Sequence, residues 1–271
     1  MALLQMLSAD TDIVHVRLSQ VHGSSPRDAG AEIFVSTTML HGTIGGGQLE
    51  YMAIDKARAM LRGGRASERM NVRLGPEIGQ CCGGRVIVDL NHMNDADRAA
   101  ALANDETQKA AMPHIYVLGA GHVGRALALF FQFLPVRCVL IDSRAEEFSL
   151  CVARVERRLS ALPEVDVRQA PAGSAFIVLT HDHALDFLLT SEALDRGDAA
   201  YVGLIGSATK RVKFERFHKN QSTQTNCTDL ICPIGVSEST DKRPEIIAAL
   251  VVAEVMTALT AMANQTAEPV T

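Results

Sequence analysis

The run Gly119-Ala120-Gly121-His122-Val123-Gly124 constrains the fold more than any other part of this 271-residue chain. It follows a short apolar segment, 114–118, and precedes an apolar stretch of helical spacing, 123–134, that Pro135 ends. A strand, a tight glycine turn and a helix in that order make the dinucleotide-binding fingerprint. The first two glycines let the chain turn sharply and let backbone approach a pyrophosphate; the third lets helix and strand pack closely. The helix start adds partial positive charge. A second apolar segment, 136–141, runs into Asp142, about twenty residues on, where an acid meets a ribose hydroxyl in such units. Gly119, Gly121, Gly124 and Asp142 are therefore candidate cofactor contacts, with NAD(P) as the ligand they would hold. The motif specifies the fold more narrowly than the ligand, because this fold serves many functions.

The second half continues the alternation. Strands are expected at 165–168, 175–179 and 201–205, and helices at 185–196 and 208–218. That order predicts a mostly parallel sheet with helices on both faces. Pro244 suits a first helical position and opens a last helix with an apolar face, which could serve as core or as a homodimer interface.

The first half has a different grammar and reads as α+β. Residues 12–21, 31–38, 70–74 and 85–90 suit strands, and 48–62 carries the helical period before Gly63-Gly64 stops it. The polar, alanine-rich stretch 91–112 reads as an exposed, helix-forming connector. The boundary is placed near its end, giving an N-terminal α+β domain at 1–110 and a Rossmann-like domain at 111–271.

Composition excludes several classes. A hydrophobic content of 47% with 21% charged residues is that of a globular chain. A net charge of −5, no Trp and 4% aromatics leave no footprint for nucleic acid. The N-terminus lacks the basic start and cleavage site of a secretory signal, and the apolar runs 126–134 and 246–253 fall short of a bilayer span. Six cysteines without export features are expected to be reduced thiols in the cytoplasm.

Two of those cysteines stand out. Gly79-Gln80-Cys81-Cys82-Gly83-Gly84 holds adjacent thiols between glycines. Neighbouring cysteines bridge poorly, since a disulfide needs Cα atoms roughly 5.5–6 Å apart and consecutive ones lie about 3.8 Å apart. The spacing does not suit zinc either. They are either buried packing residues or soft sulfur donors on a bare loop. Cys138, inside an apolar run, reads as core, while Cys151 suggests no role.

Other loops could hold anions. Gly45-Gly46-Gly47 precedes a helix without the usual capping side chain, and its free amides would suit phosphate. Arg27, in the turn 22–30, is a second clamp. Gly203-Leu204-Ile205-Gly206-Ser207 leads into a helix with Lys210 and Arg211, a third candidate. His181 and His183 follow a strand at the edge where such sheets bind ligands, but two histidines make a weak metal signal and Asp182 can equally cap the next helix. His15 and His41 read as satisfied core or edge histidines, and His22 lies beside the Ser24 and Arg27 turn. No nucleophile–base arrangement assembles from local motifs, so no residue is assigned a catalytic role and catalysis is left open at this point.

In order along the chain, these pieces resemble the XdhC/CoxI family of xanthine dehydrogenase accessory proteins. The resemblance is carried by GSSPR at 23–27, GTIGGGQLE at 42–50, GQCCGG at 79–84, GAGHVGRALA at 119–128, THDHALD at 180–186, GLIGS at 203–207 and CPIG at 232–235. The polar stretch 221–226 matches no role. The resemblance implies a chaperone that binds molybdenum cofactor (molybdopterin), protects it during sulfuration and inserts it into xanthine dehydrogenase, in purine catabolism. Implied partners are a cysteine desulfurase and the dehydrogenase's molybdenum subunit. Cys81 and Cys82 would then face molybdenum, with Arg27, Gly45, Gly46 and Gly47 nearer the phosphate or pterin. The rival reading is an NAD(P)-dependent oxidoreductase using the Gly119–Gly124 loop and Asp142.

Overall fold

A computed structural model of the chain describes residues 3–79, 83–221, 227–237 and 239–267, with side chains described through Met262. Cys81 and Cys82 lie outside the described residues, as does most of the stretch 221–226. The chain divides into two compact units, Met1–Ala110 and Ala111–Thr271.

The first unit contains α1 (Leu3–Ala9), β1 (Val14–His22), β2 (Glu32–Val35), β3 (Leu40–Gly42), α2 (Gly47–Gly63), β4 (Ser67–Arg73), β5 (Arg85–His92) and α3 (Asp95–Ala110). Its five strands form an antiparallel sheet in the order β3-β2-β1-β5-β4. Side chains alternate across a strand, so Val14, Val16 and Leu18 all face one side. There they meet Leu49, Ala53, Ala57 and Met60 of α2, the helix-period positions of that segment. Phe34 points the other way and joins Leu3, Met6 and Leu7 of α1. Of the connector 91–112, Asp95–Ala110 is helical, while 91 and 92 end β5; Asn94 and Asp97 cap α3 reciprocally, at 3.0 and 2.9 Å. Arg98 ties it to the Leu7 and Asp10 carbonyls.

The second unit contains β6 (His114–Leu118), α4 (His122–Phe131), β7 (Arg137–Asp142), α5 (Ala145–Ser149), β8 (Glu156–Leu159), α6 (Pro163–Gln169), β9 (Ala175–Val178), α7 (His183–Asp195), β10 (Tyr201–Leu204), α8 (Ala208–Gln221), β11 (Leu230–Ile231) and α9 (Pro244–Ala267). All six strands are parallel, in the order β8-β7-β6-β9-β10-β11. Counted within this unit that is 3-2-1-4-5-6, the doubly wound order of dinucleotide-binding folds. Both sheet faces are covered, which is why β9 and β10 are buried at every residue. The expected fold class is therefore the one observed.

Two local expectations need correction. Residues 165–168 form part of α6, not a strand, because Pro163 starts a helix that buries Val167 and Asp166. The strand of this region is instead β8, whose sequence Glu-Arg-Arg-Leu hides its nature; at the sheet edge only alternate residues are half-covered. The last helix starts at Pro244 as expected and runs to Ala267, and the run 246–253 understates its apolar length. Pro244–Met262 is long and apolar enough to cross a membrane by length and composition. Ala248, Val251, Val255 and Leu259 are buried in the core of the unit, which accounts for that apolarity. The Tyr201 hydroxyl donates to Glu254 and fastens α9 to β10.

Candidate functional site

In the first unit, three glycine-bearing loops meet. The Leu74 amide donates to the Gly84 carbonyl at 2.8 Å and the Gly83 amide to Leu74 at 2.9 Å, closing the root of the β4–β5 loop that carries the cysteine pair. A side chain at Gly84 would come within 2.0 Å of the Ser24 carbonyl oxygen and 2.9 Å of His22's. The root of the cysteine loop is thus pressed against the 23–27 turn. On the turn's other side, a side chain at Gly45 would stand 2.9 Å from Pro26 Cβ and 3.3 Å from Arg27 Cγ. Arg27 and Gly45, paired from sequence as an anion clamp, are therefore neighbours. Arg27 itself is exposed. The Ser25 hydroxyl is buried and has no hydrogen-bond partner among the described residues.

The glycine loop holds a carboxylate of its own. Glu50 Oε2 accepts from Thr43 Oγ1 at 2.5 Å, Ile44 N at 2.9 Å and Gly46 N at 3.1 Å, while Gly45 N donates to Thr43 Oγ1 at 3.2 Å. This reach-back explains how α2 starts without a capping side chain at Gly46. Of the three glycine amides expected to hold phosphate, Glu50 thus occupies that of Gly46 and Thr43 that of Gly45. Gly47, at the first helical position, has no acceptor within the helix.

Sequence reasoning missed a second cationic feature here. In the β4–β5 register Arg73 and Arg85 stand directly opposite each other, at the mouth of the cysteine loop. Like charges so placed repel. Together with His22 and Glu77 they line a cleft of about 260 Å³. The signal was present only as two arginines flanking the loop; their opposition needs the register. His15 and His41 are not ligands of this cleft: His15 Nε2 lies 2.8 Å from Glu32 and stacks on Phe34.

In the second unit the fingerprint glycines divide into two kinds. A side chain at Gly124 would collide with the Gly119 carbonyl at 1.9 Å, and one at Gly119 with the Leu179 carbonyl at 2.3 Å. Close packing demands both. Gly121 faces open space, with nothing within 4 Å, and the protein's own packing gives no reason for it. That suits approach by a ligand. Asp142 is engaged differently from an acid awaiting a ribose. Its Oδ2 accepts from Ala120 N at 2.7 Å and Arg144 Nη2 at 2.9 Å, and its Oδ1 from Arg144 N and Nε, both at 3.0 Å. Four bonds fill the roughly four lone-pair sites of a carboxylate. Burial pushes this carboxyl up, but the Arg144 guanidinium and the Ala120 amide outweigh it and hold it below the usual range.

Asp182 proves to be a helix cap, its Oδ1 accepting from Ala184 N and Leu185 N at 2.6 and 3.0 Å. His181 and His183 are exposed, and no group of three metal-binding side chains occurs among the described residues. Sequence reading passed over Asp186, which is buried and bonded to Thr180 and Lys210. Cys138 and Cys151 are buried free thiols, and burial, with Cys151 adjoining, pushes the Cys138 thiol up to about 12.

Residues 115–255 match the model of the XdhC Rossmann domain, and 6–73 that of the XdhC and CoxI family. The chain belongs to the XdhC family. Membership supports a role in xanthine dehydrogenase maturation and implies association with that enzyme. A solved structure described as a xanthine dehydrogenase from Bacillus halodurans superposes with a TM-score of 0.81, covering 99% of this chain and 98% of that one. At 17% identity it establishes the shared fold alone. No curated protein matches.

Proposed function

We propose that this XdhC-family chain carries molybdenum cofactor as cargo. It shelters the cofactor while a cysteine desulfurase supplies the terminal sulfur, and delivers it to the molybdenum subunit of xanthine dehydrogenase in the cytoplasm. One observation carries this reading: the 23–27 turn touches Gly45 on one side and the root of the cysteine loop on the other. The loop whose sequence carries the two thiols is thereby rooted beside the turn that carries Arg27. Cys81 and Cys82 supply the donors that suit a molybdenum centre. Arg27, Arg73 and Arg85, with the first amides of α2, suit the cofactor's phosphate. The orphaned Ser25 hydroxyl supports a ligand here, since buried polar groups are normally partnered.

The oxidoreductase reading is weakened by Asp142, whose acceptor sites are already taken by Ala120 and Arg144. To test the cargo reading, Cys81→Ala and Cys82→Ala chains are purified from cells that make the cofactor. Molybdenum and released pterin fluorescence are then measured per chain. Loss of both signals in at least one variant is expected. Full retention in both would remove the thiols from the site, and an unaltered chain free of molybdenum and pterin would sink the proposal.

A further inference from the structure

We infer that the second unit has a binding site of its own: the cleft at the carboxyl edge of β9 and β10 takes a phosphate monoester carried on a planar ring, with the phosphate on Lys210 and Lys213. This does not rest on the cargo reading, which concerns the first unit.

The cleft measures about 550 Å³. Small-molecule sites run from roughly 300 to 1,000 Å³, and open α/β sheets bind ligands outside the carboxyl ends of their strands. Its floor is built around one cation. Asp186, 1% exposed, accepts from Thr180 N and Oγ1, each at 2.8 Å, and from Lys210 Nζ at 2.5 Å. Lys210 is pinned from below as well: a side chain at Gly206 would lie 2.6 Å from Lys210 Cδ, so that loop is shaped to let the lysine stem cross it. An ammonium group carries three donors, and Asp186 uses one. The lysine therefore sits in place before any ligand arrives, which removes much of the ordering cost of binding.

The remaining lining gives the ligand's character. Lys213 follows three residues later on the same face of α8 and is exposed. Ser207 Oγ accepts from Lys210 N at 3.3 Å at the start of that 14-residue helix, whose amides add positive potential. Two lysines face one buried carboxylate, so the cleft holds excess positive charge. That excess attracts an anion such as a phosphate monoester. Phe187 and Ile205 provide an apolar wall against which a planar ring can lie. Asp142, the acid that would meet a dinucleotide's adenosine ribose, does not line this cleft, so the site is distinct from that half of the fingerprint.

The test is calorimetric titration of the full chain with AMP and with the phosphate ester of 6-hydroxymethylpterin, each beside its phosphate-free parent. At least one ester is expected to bind about tenfold more tightly than its parent. The tighter of the two identifies the ring as purine or pterin. Lys213→Gln should weaken that ester about tenfold, whereas Lys219→Gln, at the far end of α8, should change it less than about twofold. Lys210→Met should abolish binding while keeping the far-ultraviolet spectrum; should it fail to fold, Lys213→Gln decides alone. The inference is overturned if neither ester binds at millimolar concentration, if the parents bind as well as the esters, or if Lys213→Gln binds like the unaltered chain.

Discussion

Asp142 Oδ2 accepts a hydrogen bond from the Ala120 amide at 2.7 Å, so the acid that ends β7 holds the glycine turn that ends β6. Arg144 donates to both oxygens of the same carboxylate. In this chain the strand-end acid braces the fingerprint loop. Asp142→Asn removes a buried charge but keeps the size, and should cost about 2–3 kcal/mol. Urea unfolding followed by circular dichroism measures it; an unchanged midpoint would mean that the brace carries no load.

The same carboxyl gives a pH dependence with a definite sign. Its folded value is depressed, so its contribution is complete above the unfolded value of about 3.9 and is lost as pH falls through the lower folded value. The stability gap between the parent chain and Asp142→Asn should be flat from about pH 5 to 7 and shrink below about pH 4. A gap that widens on acidification would contradict the direction assigned here.

Two glycines of one motif should respond unequally to alanine. Gly124→Ala places a methyl on the Gly119 carbonyl and should cost about 3 kcal/mol or more, or prevent folding. Gly121→Ala enters open space at an ordinary φ of −64° and should cost less than about 1 kcal/mol. Thermal midpoints of the two variants decide.

Glu50→Ala strips one acceptor from Thr43, Ile44 and Gly46 together. A loss of about 2 kcal/mol is expected, and Glu50→Gln should recover part of it, since an amide oxygen still accepts. Chemical denaturation of the three chains is the measurement, and equal stability of parent and alanine variant would show that water satisfies those groups.

Burial and the neighbouring Cys151 raise the Cys138 thiol to about 12. Reaction goes through the thiolate, so Cys138 should resist thiol reagents at neutral pH in the folded chain and react on unfolding. Peptide mapping after timed alkylation reads this site by site; early labelling of Cys138 would place it outside the core.

Segments whose apolar residues keep one period were legible: β1, α2 and β5 in the first unit, β6, α4 and β9 in the second. Failures came where burial is partial. The edge strand β8 is mostly charged, and α6 is too short for its period to be told from a strand. At the candidate sites, Arg27 and the glycine loops could be picked from sequence because turn chemistry is local. Asp186 and Lys210, 24 positions apart, could not be paired, nor could Arg73 be set opposite Arg85.

The order of residues by itself determined a doubly wound second unit, a glycine fingerprint and the family to which the chain belongs, because turns and hydrophobic periods depend on near neighbours. Tertiary structure alone decided what the polar groups do. Glu50 and Asp142 look like free acids in the sequence; in the fold each faces backbone amides and becomes part of the frame. A carboxylate's partners are set by what packing brings within about 3 Å, and that distance is not written in any local stretch of chain.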